Sequence, residues 1–265
     1  CFKNGILPIG LPFDKHNVKL VDEHNKIMNL RLIESEINAQ GIKRNIGAMN
    51  AIGTILVFLD DDVVPDINLL SVYYDCFKSK NRRIVYLGLS LFSKDKEENS
   101  NFFKYRNQRS KKILDYDSSV PSKSFVSMNF SLRKVDFFEI GMFDERYTNY
   151  GGEDHDFPCR MIEKGFKAII IPDARSEHCE PASSLYTRMK KIYVSGHRGF
   201  EPLRKLQPSF FKTTQLEYFE SDFSNISSKG KFIKLTFNII IIFKINYLIA
   251  RFLKWSDSYR YLYSQ

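Results

Sequence analysis

TILVFLDDDVVP, residues 54–65, decides the fold: a run of apolar and β-branched residues ends in three consecutive carboxylates, Asp60, Asp61 and Asp62. An uninterrupted apolar run of this length predicts a strand buried on both faces, as in a parallel sheet covered by helices. The acids then stand at its carboxyl end, where open α/β sheets bind ligands. Three adjacent carboxylates repel one another, so the site is comfortable only when a cation or a positive side chain shares it. Hard oxygen ligands match Mg2+ or Mn2+, and Mg2+ commonly binds through one or two carboxylates together with substrate phosphates. On an extended segment Asp60 and Asp62 point to one side and Asp61 to the other, giving an Asp-x-Asp pair that can face one ligand. The bland alternative is a solvated acidic turn that merely ends a strand.

Outward from this strand the pattern alternates. Residues 17–22 (NVKLVD) and 29–33 (NLRLI) read as short strands, the first ending in Asp22. Residues 41–52 (GIKRNIGAMNAI) predict a helix with Ile42, Ile46, Met49 and Ile52 on one buried face, and Gly53 stops it. Downstream come a helix over 67–78, with Leu69, Leu70, Tyr73, Tyr74 and Phe77 inside, and a strand over 83–91. The charged stretch 93–117 reads as a surface excursion or mobile loop without an assignable role. A strand over 124–132 and a helix over 134–140, closed by Gly141, complete the run. This is the grammar of an α/β sheet built from βαβ units.

A second stretch carries chemistry: GMFDERYTNYGGEDHDFPCRMIEKG, residues 141–165. The paired glycines Gly151 and Gly152 permit a tight backbone path beside a ligand. Glu153, Asp154 and Asp156 then fall in the first turn of a helix whose inner side is Phe157, Met161 and Ile162, with Gly165 as its stop. Acids at a helix start are favoured by the macrodipole alone, which accounts for one of them. A carboxylate held at such a turn can act as a general base toward a substrate hydroxyl. The buried strand 168–172 (AIIIP) then leads to His178, whose neutral imidazole would complete a divalent-metal site begun by Asp62.

Composition sets the frame. The chain has 265 residues, enough for one large α/β domain with an appendage, and its 43% hydrophobic and 27% charged content is that of a folded protein. Four dispersed cysteines form no Cys-x-x-Cys pair, which argues against a zinc knuckle or a disulfide framework and fits a reducing compartment. Of the net charge of +9, residues 180–265 hold +8, so an anionic partner is expected there. The tail KFIKLTFNIIIIFKINYLIARFLKW is too broken by charge to span a bilayer. Residues 229–255 are expected to lie on an anionic membrane surface, with a helix pair packed on protein as the alternative. No nucleic-acid motif accompanies the basic residues, so nucleic acid is not an expected partner.

The order LDDD, Asn129-x-Ser-x-Arg133, then G-x-FDE, YGGED-x-D and a histidine after the next strand resembles the GT-A fold, family 2 type glycosyltransferases. It is most similar to the group with chondroitin-polymerase-like and galactosyltransferase-like domains. The helix pattern RN-x-G running into the acidic strand belongs to the same resemblance, which spans roughly 17–178. It implies a Rossmann-like mixed sheet with flanking helices. A catalytic domain over 1–200 and a helical extension over 201–265 are expected. The implied activity is transfer of a sugar, with inversion, from a nucleotide-diphosphate donor, a UDP-sugar being favoured, to a saccharide hydroxyl in cell-surface polysaccharide or glycan synthesis.

The same resemblance implies roles residue by residue. Asp60, Asp62 and His178 would hold Mn2+ or Mg2+ against the donor diphosphate, with Asp61 beside them. Asp154 would be the general base and Glu153 would hydrogen-bond sugar or acceptor. Asp22 and Asn45 would lie by the nucleotide, and Asn129 would line the sugar-phosphate pocket. A cytoplasmic protein, peripheral at the inner membrane face, is the expected setting. The segment before residue 17 is shorter than the family's opening strand and helix, so either an N-terminally incomplete chain or a replaced first βα unit is expected. A non-catalytic saccharide-binding relative is the alternative, and a two-carboxylate glycoside hydrolase is disfavoured by the metal-suited acid and histidine set.

Overall fold

The structure is a computed structural model and describes residues 31–33, 35–79, 82–180 and 195–212, with isolated positions beyond 227. The expected strand over 17–22, Asp22 and nearly all of the tail 229–255 lie outside the described residues. The chain order is α1 (Gln40–Asn50), β1 (Ile55–Leu59), β2 (Val63–Pro65), α2 (Leu69–Cys76), β3 (Ile84–Leu91), α3 (Lys94–Asn99), α4 (Asn101–Lys111), β4 (Asn129–Arg133), α5 (Lys134–Ile140), α6 (Glu153–Glu163), β5 (Lys167–His178), α7 (Phe200–Leu206) and α8 (Pro208–Lys212). Residues 31–33, expected as a strand end, are irregular.

The described strands form one mixed sheet in the order β1-β4-β3-β5-β2. Only β3 and β5 run parallel; β1 pairs antiparallel with β4, so the parallel neighbour expected for the acidic strand is not found among the described residues. Both faces of β1 are nevertheless covered. Leu56 and Phe58 enter a cluster with Phe130, Phe137, Phe143 and Phe157, while Val57 and Leu59 pack toward Leu69 and Tyr73 of α2. The first cluster is largely aromatic, with Phe58 stacked on Phe130 at 4.5 Å and Phe143 on Phe157 at 4.7 Å. This slab fixes the sheet against α5 and α6, and so fixes the two ends from which acids project.

Other expectations change as well. The buried face of α1 is Gly41, Ile42, Asn45, Gly47 and Ala48, whereas Met49 and Ile52 are 49% and 61% exposed. Small residues let the helix backbone close on its neighbours, and Asn45 is buried because Phe143 holds it: Nδ2 donates to the Phe143 carbonyl at 2.8 Å and Oδ1 accepts from the Phe143 N–H at 2.9 Å. Residues 93–117 are not a loop but two helices and a 3-10 turn, since Phe102, Phe103 and Asn107 point inward from an otherwise polar surface. Tyr74 and Ile162, expected inside, are exposed.

Residues 195–212 return to the body of the sheet domain. Leu203 and Phe210 pack with Tyr147, and Gln207 donates to Asp156 at 3.3 Å. Gly199 has no room for a side chain: a Cβ there would lie 2.1 Å from the Tyr150 carbonyl oxygen.

Candidate active site

The triple acid is a turn and not a continued strand. Asp60 ends β1, its N–H bonded to the Met128 carbonyl, and the Val63 N–H closes back on the Asp60 carbonyl at 3.2 Å. The strand alternation that would have aimed Asp60 and Asp62 together therefore does not apply. Asp60 Oδ1 accepts from Arg44 at 2.7 Å, Asp61 is exposed at the turn, and Asp62 is carried toward β5. There β2 pairs with the last residues of β5, Val63 opposite His178, and the Cys179 N–H bonds the Asp62 carbonyl at 2.7 Å. This register leaves His178 Nε2 3.1 Å from Asp62 Oδ2.

That separation bears on a metal. In octahedral coordination at Mg2+ distances, neighbouring donor atoms are about 3.0 Å apart. Asp62 Oδ2 and His178 Nε2 thus fit two adjacent positions, with the imidazole neutral and its Nε2 proton given up. No cluster of three or more potential protein ligands occurs among the described residues, because Asp60 is turned toward Arg44. Diphosphate oxygens and water would have to fill the remaining positions, as Mg2+ sites commonly require.

The second acid pair is delivered by the glycine turn. Gly152 caps α6 with φ of 102°, a conformation that side-chain-bearing residues rarely adopt, and a Cβ on it would meet the Gly199 carbonyl oxygen at 2.5 Å. Glu153 and Asp154 follow at once. Asp154 Oδ1 accepts from Ser127 Oγ and lies 3.5 Å from Arg44. Arg44 therefore bridges the acid that ends β1 and the acid that opens α6. Burial works against its charge, but Asp154 and Asp60 outweigh it and hold the guanidinium above its ordinary pKa. Asp60 is raised, mainly by burial, with Arg44 opposing.

Glu153 is 4% exposed, and its Oε2 has no hydrogen-bond partner. Burial first, then the charge of Asp154, push its carboxyl up to about 7, against the pull of Arg44. A carboxyl raised from 4.5 to about 7 stabilises the fold fully below the lower value and loses that contribution as pH rises through the upper one. Glu153→Gln should therefore be nearly neutral at about pH 5 and stabilising by on the order of 2–3 kcal/mol at about pH 8. Thermal unfolding of both proteins at the two pH values checks this; an equal effect at both would refute it.

The asparagines are differently employed. Asn129 is 1% exposed, donates to the Ala174 carbonyl and Ser176 Oγ at 3.1 Å each, and accepts from Tyr73 Oη at 2.8 Å. Asn45 also contacts Glu145 at 3.1 Å. Both amides tie elements together beneath the acids and are occupied by protein partners. Arg44 and Ser127 were not singled out in the sequence. Arg44 had a signal, standing immediately before Asn45 in the RN-x-G helix; Ser127 had none.

Two family patterns fall on this constellation. The glycosyl transferase family 2 pattern matches residues 16–141, and that of the N-terminal domain of galactosyltransferase matches residues 107–188. Together they bracket the acid turn, Arg44, Glu153, Asp154 and His178. Residues 16–141 are thus similar to glycosyl transferase family 2. The chondroitin synthase of Escherichia coli is 33% identical to it over 63 residues, 24% of this chain and 9% of that protein. The described sheet and helices have the fold of structural neighbours that are GT-A glycosyltransferases. A structure of GalNAc-T7 with UDP, GalNAc and Mn2+ superposes with a TM-score of 0.55 at 15% identity, covering 93% of this chain and 52% of that one. Staphylococcus aureus TarS 1-349 in complex with UDP-GlcNAc gives a TM-score of 0.53 at 14% identity, covering 82% and 57%. The chain thus spans about half the length of these solved chains and a small part of the chondroitin synthase.

Proposed function

We propose that this glycosyltransferase domain moves a sugar from a nucleoside-diphosphate donor to a saccharide hydroxyl, with inversion, at the cleft between the 60–62 turn and the start of α6. The observation that carries the reading is the pairing of Asp62 with His178 at the 60–62 turn, together with Arg44, which joins Asp60 of the same turn to Asp154. The family matches support it, as do structural neighbours determined with UDP or UDP-GlcNAc.

In this reading Asp62 and His178 hold Mn2+ or Mg2+ against the donor diphosphate, and the cation supplies neutralisation of the charge that develops as the diphosphate leaves. Arg44 adds a fixed positive group on the same side. Asp154 Oδ1, steadied by Ser127 and Arg44, accepts the proton of the attacking hydroxyl. Attack by that hydroxyl at the anomeric carbon, opposite the leaving diphosphate, inverts configuration. Glu153, its carboxyl pushed up to about 7, donates in its protonated form to a sugar or acceptor oxygen. Most of the catalytic effect would come from positioning and preset charge. A role in surface polysaccharide synthesis, with the basic residues after 180 facing an anionic membrane or acceptor, belongs to the same proposal.

Calorimetric titration of UDP into the chain, with Mn2+ and then with EDTA, tests it. Binding that requires the metal and is weakened at least about 10-fold by Asp62→Ala is the expected result. Metal-independent binding, or none with UDP, GDP or dTDP, would overturn it.

A further inference from the structure

The metal reading leaves α3 and α4 without a role, although α4 packs on Phe92, the residue whose ring stacks on His178, and α3 is tied to α4 through Glu97. Phe92, the residue after β3, is 6% exposed and stacks on the His178 ring with centroids 4.7 Å apart and planes 25° from parallel. Parallel pairing of β3 with β5, Leu91 opposite Glu177, puts the two residues side by side at the sheet end. Phe103 of α4 packs against Phe92 at 4.6 Å, and the Arg106 guanidinium lies 5.5 Å from the Phe92 ring centroid.

The backbone of Phe92 is gripped as firmly as its ring. Asn107, 1% exposed on α4, accepts from the Phe92 N–H at 2.8 Å and donates to the Phe92 carbonyl at 3.1 Å, while also donating to Glu97 at 2.7 Å. A residue just past a strand end has no ladder partner for these groups, and Asn107 takes the place of that partner. A buried amide with both ends satisfied sets one position and not a range. The contacts run in sequence: Asn107 to the Phe92 backbone, the Phe92 ring to the His178 ring, and His178 Nε2 to Asp62 Oδ2.

We propose that Phe92 and Asn107 are positioning residues for His178, and that α4 exists at this place to hold the imidazole plane at the angle that brings Nε2 to the cation shared with Asp62. The inference rests on the metal reading above and deepens it. Stacking restricts rotation of the imidazole about its last side-chain bond, and it excludes water from one ring face. Loss of such outer support commonly weakens metal binding by about 10- to 100-fold without removing a ligand.

The test is titration of Mn2+ into the full chain in the presence of UDP, for the native protein and for Phe92→Leu, Asn107→Ala, Phe92→Tyr and His178→Ala. Phe92→Leu and Asn107→Ala should each weaken Mn2+ by about 10-fold, and Phe92→Tyr, which keeps the ring, should restore most of the affinity. A metal-free readout accompanies it. In the native protein the His178 Cε1–H proton resonance, identified by its loss in His178→Ala, should be shifted upfield by the Phe92 ring and should move downfield in Phe92→Leu. Native Mn2+ affinity in both Phe92→Leu and Asn107→Ala, with affinity lost in His178→Ala, would overturn the inference and leave the metal reading standing. Native affinity in His178→Ala would remove both.

Discussion

Replacing Asp154 by Asn is expected to lower the turnover of sugar transfer by roughly 10^2- to 10^4-fold while leaving metal-dependent UDP binding within about twofold of native. The substitution keeps shape and keeps an acceptor for Ser127 Oγ, so the turn after Gly152 has no reason to rearrange. It also leaves the pairing of Asp62 with His178 as it is. What it removes is the capacity to take a proton, and that capacity matters only in the transition state. Two proposed roles, far apart in the sequence, are thereby separated: donor binding at Asp62 and His178, and proton acceptance at Asp154. Rates and UDP binding measured on the same preparation check it. Turnover close to native would remove Asp154 from the base position, and a parallel loss of UDP binding would mean that the carboxylate serves the fold of the cleft and not its chemistry.

The parts of this site that were legible in the sequence are those set by local rules. β1 shows as an apolar run, α6 as a helix opened by glycines and acids, and His178 as a histidine following a strand. Each needs only strand or helix periodicity and a turn. What was not legible depends on how elements meet. Asp60 and Asp62 were expected to face one ligand because an extended chain alternates its side chains, but a turn at 61–62 and the pairing of β2 with β5 divide them between Arg44 and His178. Asn45 and Asn129 were expected at the ligand, and both are consumed in buried protein contacts across 98 and 45 residues of chain. A side chain that bonds its own neighbours and one that bonds a ligand look alike in sequence.

The stretch 93–117 failed for a different reason. Its inward residues include Asn107, a polar side chain buried for its hydrogen bonds, so the apolar period of the helix is interrupted where the structure depends on it most. Hydrophobic patterning cannot see a buried amide that replaces a strand partner. The same blindness hid the packing of α7 and α8: His155, flanked by Phe200 at 5.7 Å and Phe210 at 5.0 Å, reads as a polar helix residue until its neighbours are known.

Arg44 is the residue on which the two acid groups depend jointly, and its replacement is expected to have the second large effect. Its side chain is 11% exposed and faces Asp60 at 2.7 Å and Asp154 at 3.5 Å, with Phe143 5.3 Å from the guanidinium carbon. Arg44→Met retains the apolar stem and its contact with Phe143 but leaves Asp60, Glu153 and Asp154 without their shared cation. Breaking a fully buried pair in this way costs about 3–5 kcal/mol; the partial exposure of Asp60 and Asp154 lets water reach them and brings the expected loss to about 2–3 kcal/mol. Arg44→Lys should recover only part of it, because a single ammonium cannot present separate N–H groups to two carboxylates. Transfer should fall further than stability, by roughly 10^2-fold in Arg44→Met, since both the first acid of the 60–62 turn and the proposed base lose their fixed orientation. Urea unfolding and steady-state rates measured at saturating Mn2+ check the two expectations together. If stability falls and the rate of the folded fraction does not, Arg44 is a structural counter-ion and the link between donor and base lies elsewhere. If the rate falls with stability intact, the acids relax around the vacancy and only the chemistry senses the missing charge.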